Sequence, residues 1–202
     1  MEDPQKERMP AIEADIEART IGGARLHGGP VILAEYDFAW PDMFAREAAR
    51  VTQVLGDKAI TIEHVGSTSV PGLAAKPIID ILMEVADSND EPAYVTPLES
   101  NGYELRIREP DWWEHRMFKG PDTDVNLHVF TVGCPEVDRM LRFRNHLRSD
   151  AADRLLYESK KRELASQDWA YIQNYADAKT AVIDEIIARA DPAVGRLPRT
   201  SL

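Results

Sequence analysis

The chain has 202 residues, with 24 lysines and arginines against 35 aspartates and glutamates, for a net charge of −11. That balance excludes wholesale nucleic-acid binding, which needs a basic footprint, but leaves room for a small basic pocket. No apolar run approaches the roughly 20 residues of a membrane span, the start MEDPQKERMP lacks the apolar core of a secretory signal, and Cys134 stands alone, so a reducing cytoplasm is expected.

Residues 1–29 are polar and end in the glycine-rich IGGARLHGGP, which reads as a tail with room for a short helix near Ile12–Arg19. Val31–Tyr36 reads as a short strand. From Trp40 to Leu55 the residues Trp40, Met43, Phe44, Ala48, Val51, Val54 and Leu55 form a helical stripe, with Pro41 in the first turn and Gly56 at the end. Ala59–Val65 predicts a strand stopped by Gly66, and Pro77–Val85 a second, almost wholly apolar and therefore central one. A short helix is expected over Glu91–Ser100. Strands are expected over Tyr103–Ile107, Glu114–Lys119 and Val125–Val132. After Pro135 the periodicity is helical throughout, over Glu136–Leu147, Asp153–Leu164 and Trp169–Ala190. This predicts an α+β body, a mixed sheet flanked by helices, over 30–134, a helical C-terminal portion over 135–192, and a tail over 193–202.

Two features in HVGSTSVPGLAAKPIIDILMEV, residues 64–85, exceed what folding needs. Gly66 and Ser67 follow a strand with a turn, where free backbone N–H groups suit a phosphate; the hydroxyls of Ser67, Thr68 and Ser69 and the ammonium of Lys76 add donors. A plain turn is the competing reading. Asp80 lies inside an apolar strand, where an unpartnered carboxylate would cost several kcal/mol. It needs a cation or a hydrogen-bonding partner, and a metal aimed at phosphates on the turn is one solution. Strand alternation puts Leu82 and Glu84 on the same face as Asp80.

A strand, Gly-Ser, twelve intervening residues and an aspartate in an apolar strand resemble the nucleotidyltransferase fold of the DNA polymerase β superfamily. The longer stretch HVGSTSVPGLAAKPIIDIL resembles the GrpB family, bacterial proteins assigned to that fold without an established role. NLHVF at Asn126–Phe130, FRNHLR at Phe143–Arg148, Tyr157 with Lys160 and Lys161, and Tyr175 with Lys179 extend the likeness over about 31–190. The resemblance implies that Gly66 and Ser67 touch the phosphates of an NTP. It implies that Asp80, with Mg²⁺ or Mn²⁺, directs nucleotidyl transfer to an unknown acceptor.

This chain departs from the pattern at Leu82, where the superfamily has its second acid, leaving Glu84 as a distant substitute metal ligand. On the later strand His128 stands where an acid is expected, as ligand, base or phosphate donor, or as a hydrogen-bonded core residue. His64 suits phosphate contact, support of the turn, or a capped strand end. Arg144 and Lys179 are the cations that the family-like contexts point to. The missing acid leaves a second expectation open, a non-catalytic module that binds a nucleotide or phosphometabolite. Trp112 and Trp113 are either a base-stacking surface or one anchor and one exposed ring. Some relatives of this family are fused to dephospho-coenzyme A kinase, a weak pointer to nucleotide metabolism.

Overall fold

Helix α2 (Trp40–Leu55) shows how the stripe becomes structure. Pro41 occupies its first turn, Gly56 ends it at φ 55°, and Trp40, Ala48, Val51 and Leu55 are buried along one side. That side lies on a five-stranded sheet of β1 (Thr61–Val65), β2 (Ile79–Val85), β3 (Glu104–Glu109), β4 (His115–Lys119) and β5 (Val125–Thr131), in the order β1-β2-β5-β4-β3. Strands β2 and β5 pair parallel and the other neighbours antiparallel. The computed structural model describes residues 11–190. The expected tail at 193–202 and the first ten residues of the expected N-terminal tail lie outside them.

Alternation sorts the two faces. Ile79, Ile81, Met83 and Val85 of β2 meet Val125, Leu127 and Val129 of β5, with α2 and α3 (Val95–Ser100) covering them in one apolar core. The opposite face carries Asp80, Leu82 and Glu84, in register with Asn126, His128 and Phe130. Its β1 side is covered by α4 (Pro135–Ser149), whose Val137 and Leu141 close over Val65, Leu82 and Phe130. Helix α5 (Ala151–Ala165) follows, capped by the Asp150 carboxylate on the Asp153 N–H at 2.9 Å. Trp112 and Trp113 pack partly buried against the cluster around Phe130, by the left-handed backbone of Trp113 and Glu114.

Three stretches differ from expectation. Residues 11–29, expected as a tail with room for a short helix near Ile12–Arg19, do form that helix, α1 (Glu13–Arg19), which buries Ile16, but are held to the body: Thr20 bridges Ile107, the Ile21 N–H donates to the Arg106 carbonyl at 2.8 Å, and Gly29 bridges Trp169. Chain that pairs with a strand edge has partners that composition does not reveal. Val31–Tyr36 forms no strand; Ala34 makes a single bridge to Ala75. The expected helix over Trp169–Ala190 is two, α6 (Ile172–Asp177) and α7 (Thr180–Arg189). Helix α6 buries Tyr175 among Val31 and Leu164, whereas α7 buries Val182 and Ile186 among Val70, Leu73 and Tyr157. Two burial partners in two directions break one periodicity at Lys179. Among the described residues no helix is long and apolar enough to cross a membrane.

Candidate functional site

Between β1 and β2 the chain turns at Gly66, with φ 69°. A Cβ there would lie 2.3 Å from Asp80 Oδ2, so the glycine is required both by its backbone and by the carboxylate beside it. Ser67–Ser69 form one 3₁₀ turn. The Ser69 hydroxyl donates to the Gly66 carbonyl at 2.6 Å, and the Thr68 hydroxyl donates to the Ile78 carbonyl at 3.1 Å. Thr68 Oγ1 also lies 3.1 Å from His64 Nε2. His64 stacks on Phe44 with centroids 4.8 Å apart, and burial pushes its imidazole down to about 4, so it is neutral. Thr68 and His64, both expected near phosphate, hold the turn from beneath. Val70 and Leu73, fully buried against Leu147, Tyr157 and Ile186, anchor the loop to the helical portion.

Ser67 faces a different environment. Lys161 Nζ donates to its hydroxyl at 3.1 Å and also to the Ala74 carbonyl. Lys161 is 2% exposed, and burial followed by the field of Lys179 lowers its ammonium to about 7. Lys179, at the break between α6 and α7, lies 4.4 Å above the Tyr175 ring; burial lowers it to about 8 although the Asp80 carboxylate opposes the shift. Lys76 is lowered too, by burial and then by Lys119, with Asp80 again opposing. Lys161 thus sits on the Ser67 hydroxyl while Lys76 and Lys179 lie in the field of Asp80, and Asp124, Glu158 and Asp177 are further carboxylates that act on these lysines. Clustered lysines that burial and mutual repulsion depress make this a candidate functional site.

Asp80 accepts from Asn126 Nδ2 at 2.7 Å and lies 3.8 Å from His128 Nε2. Burial would raise its carboxyl, but His128, Asn126 and the Lys179 ammonium outweigh that and hold it below the usual carboxylate range. Its side chain keeps 28% exposure and that of His128 22%, so both are partly open to solvent. Behind His128 runs a line of buried groups. His128 Nδ1 is 3.0 Å from His115 Nε2, and His115 Nδ1 is 2.7 Å from Glu109 Oε2. Glu109 also pairs with Arg19 at 2.6 Å. The rings of His115 and His128 stack with centroids 5.2 Å apart, and Phe130 stacks on the far side of His115 at 4.8 Å. Glu109 is the acceptor at His115 Nδ1, His115 Nε2 and His128 Nδ1 share one hydrogen bond, and His128 Nε2 faces the Asp80 carboxylate.

Two expected residues stand elsewhere. Glu84 shares the Asp80 face, but four residues of strand put it about 13 Å along. Its carboxylate accepts from the Gly133 N–H at 3.0 Å in a fully buried position, so it is not brought to Asp80 as a metal ligand. Arg144 is buried against β1, donating to Glu63 at 2.7 Å and to the His64 carbonyl at 2.8 Å, which ties α4 to the sheet edge rather than reaching the cleft. Sequence reasoning named Lys160 and Lys161 together, and the structure separates them. The i, i+4 spacing of Tyr157 and Lys161 on the stripe that buries Leu164 is the signal that Lys161 points inward. His115 and Glu109 were missed. Alternation would have aligned His115 with Met117 and Lys119 on the Asp80 face, but the WWE turn, with Trp113 and Glu114 at positive φ, hid the register.

The donor set fits a two-metal centre poorly. Asp80 has as neighbours an amide that donates to it, an imidazole and the Lys179 ammonium, and Leu82 is sealed in an apolar cluster. Elsewhere among the described residues His146, Asp150 and Asp153 stand at metal-ligand spacing. There Asp153 is already held by Arg189 and His146, and Asp150 caps a helix.

A UPF0157 protein of Halalkalibacterium halodurans is 56% identical over 182 residues, covering 90% of this chain and 93% of that one. The crystal structure of conserved protein GrpB from Enterococcus faecalis superposes with a TM-score of 0.69 at 34% identity, covering 78% of this chain and 96% of that one. A dephospho-CoA kinase of Mycolicibacterium paratuberculosis is 27% identical over 199 residues, which take up 86% of this chain and 49% of the kinase. The family model described as GrpB protein matches residues 30–189, the span that holds the sheet and the site from Gly66 to Lys179, and the chain belongs to the GrpB family.

Proposed function

We propose that this chain binds the phosphates of a nucleotide or phosphorylated metabolite in a nucleotidyltransferase-like cleft, with lysines supplying the positive charge. One observation carries the reading: the buried Lys161 ammonium donates to the Ser67 hydroxyl of the Gly-Ser turn, Lys76 and Lys179 lie in the field of Asp80, and burial lowers all three. The Gly-Ser turn between antiparallel β1 and β2, the aspartate on β2 and the parallel β5 beside it support the nucleotidyltransferase-like frame. Ligands of this class also suit a cytoplasmic protein. With Asn126 donating to Asp80 and Leu82 sealed in an apolar cluster, the residues here do not support a two-metal transfer, and no step is derived through Mg²⁺ or Mn²⁺.

The line from Glu109 through His115 to His128 favours a second reading, transfer rather than binding alone. An acceptor hydroxyl would lose its proton to His128 Nε2, where Asp80 lies 3.8 Å away to balance the new charge. The acceptor oxygen would bond to the α-phosphorus as the bond to the pyrophosphate leaving group breaks. A thermal-shift panel of NTPs, NMPs and coenzyme A precursors, each with and without Mg²⁺, on wild type, Lys161→Met and Asp80→Ala separates the readings. The binding reading expects metal-independent stabilisation lost in Lys161→Met. Stabilisation that needs Mg²⁺ and disappears only in Asp80→Ala would refute it in favour of metal-directed transfer, and no shift with any compound would refute both.

A further inference from the structure

The three hydroxyls of the Gly-Ser turn are not equivalent. Those of Thr68 and Ser69 are buried and give their protons to the Ile78 and Gly66 carbonyls at 3.1 and 2.6 Å. Ser67 is half-buried, next to the exposed Gly66, and its hydroxyl is met by two side chains of α5. Lys161 Nζ lies 3.1 Å from Ser67 Oγ, and the Tyr157 hydroxyl is a second hydrogen-bonding neighbour. Tyr157 and Lys161 stand one helical turn apart, with Nζ 4.9 Å from the centre of the Tyr157 ring.

An amine that served only to fasten the loop would be best kept charged against a carboxylate. Lys161 instead donates to the Ala74 carbonyl and the Ser67 hydroxyl, while Glu158 of the same helix pairs with Arg162 at 2.8 Å and accepts from the Ala74 N–H at 3.3 Å. Burial, then Lys179 and Arg162, lower the Lys161 ammonium to about 7, and Glu158 opposes them. Near neutral pH the neutral amine is therefore well populated. It keeps an N–H for the Ala74 carbonyl and offers its lone pair to Ser67, which becomes the donor. A half-buried hydroxyl hydrogen-bonded to a buried amine has the elements of an activated nucleophile, an oxygen with a base within reach of its proton.

We infer that Ser67 is a nucleophile, with Lys161 as its general base, and that it takes a nucleotidyl group onto its own oxygen. Ser67 Oγ bonds to the α-phosphorus of an NTP as the bond from that phosphorus to the bridging oxygen breaks. Pyrophosphate leaves with the electron pair, and the Ser67 proton passes to Lys161 Nζ. The chain is left with a nucleotidyl ester on Ser67 beside a charged Lys161. The choice of a phosphorus electrophile rests on the proposed function; the nucleophilicity of Ser67 does not.

Diisopropyl fluorophosphate is the first probe, since it reacts at an activated hydroxyl without a metal or a nucleotide, and intact mass with peptide mapping is the readout. One adduct per chain is expected, on Ser67, forming faster as pH rises through about 7, where Lys161 loses its proton, and levelling off above. Ser67→Ala is expected to abolish it. Lys161→Arg keeps a cation and N–H donors but supplies no base, and is expected to slow labelling at least about 100-fold, with urea unfolding showing that the variant is folded. No adduct on wild type, an adduct elsewhere than Ser67, a rate that is flat through that pH window, or a folded Lys161→Arg that reacts within threefold of wild type would each overturn the inference. ATP, with and without Mg²⁺, is the second probe. A nucleotidyl adduct on Ser67 with release of pyrophosphate supports the step as written, and its absence from a protein that the fluorophosphate does label would overturn the nucleotidyl step. Pyrophosphate titrated alone reads the anion site separately. Labelling without pyrophosphate binding would refute the proposed function alone, and pyrophosphate binding without labelling would refute this inference alone.

Discussion

The two faces of the sheet follow different rules although the same strands build both. On the α2 side Ile79, Ile81, Met83 and Val85 of β2 and Val125, Leu127 and Val129 of β5 are apolar and almost fully buried, in one continuous cluster. On the other side apolar packing is confined to a patch under α4, and the centre of the face is Asp80, Asn126, His128 and, one strand further, His115. One face is built to hold the fold. The other keeps buried charge in place, which costs stability unless a ligand or a partner completes it. That division locates function without reference to any relative.

Substitutions should separate the faces. Leu82→Asp, which restores the acid that the superfamily has, puts a charge among Val65, Phe130 and Leu141, where Leu82 is fully buried. We expect a loss of about 3–5 kcal/mol in urea unfolding and no gain of metal binding; tight Mg²⁺ binding by this variant would contradict the account. On the core face Ile81→Ala should cost about 2–5 kcal/mol while pyrophosphate affinity stays within twofold of wild type in a direct titration.

Gly66→Ala should cost about 1–3 kcal/mol for its positive φ and also displace the Asp80 carboxylate. Gly72→Ala, at φ 77° with nothing near its Cβ, carries the backbone strain alone. Equal losses of phosphate binding in the two alanine variants would break the argument that Gly66 and Asp80 fit each other.

Lys161→Met removes a buried ammonium but leaves the Ala74 carbonyl and the Ser67 hydroxyl without their donor, so it should cost about 1–3 kcal/mol while weakening anions about tenfold or more. The smallest effects are in pH. The Lys161 and Lys179 ammoniums, lowered to about 7 and about 8, are charged below those values, so anion affinity should fall as pH rises through that window. His64 runs in the other sense. Its folded value of about 4 lies below its ordinary 6.5, so between those values the unfolded chain binds more protons and stability falls as pH drops. A His64→Gln variant should flatten that slope.

The sheet and α2 were legible because their signals are local: period two along β2, period 3.6 with Pro41 and Gly56 at the ends of α2. The cleft was legible in part. Gly66, Ser67 and Asp80 stand out because each violates strand grammar. Their companions do not. Lys161 reads as one more charged residue in a charged helix until its stripe is placed against the turn. His115 and Glu109 belong to a β3–β4 pairing whose register depends on the positive φ of Trp113 and Glu114, which no breaker residue announces. The arm over 11–29 is polar in sequence and is held by backbone pairing to an edge, which composition does not encode. Lys179 reaches the cleft because α6 and α7 pack on different clusters, a tertiary cause with no local mark.

The most direct test is calorimetric titration of inorganic pyrophosphate into the protein in chelator-containing buffer, for wild type and Lys161→Met. The account predicts saturable binding by wild type without any divalent cation, accompanied by proton uptake near neutral pH as the depressed lysines charge, and its loss in Lys161→Met. Absence of binding until Mg²⁺ is added, or binding that Lys161→Met leaves intact, would contradict the claim that the lysine cluster is the anion site.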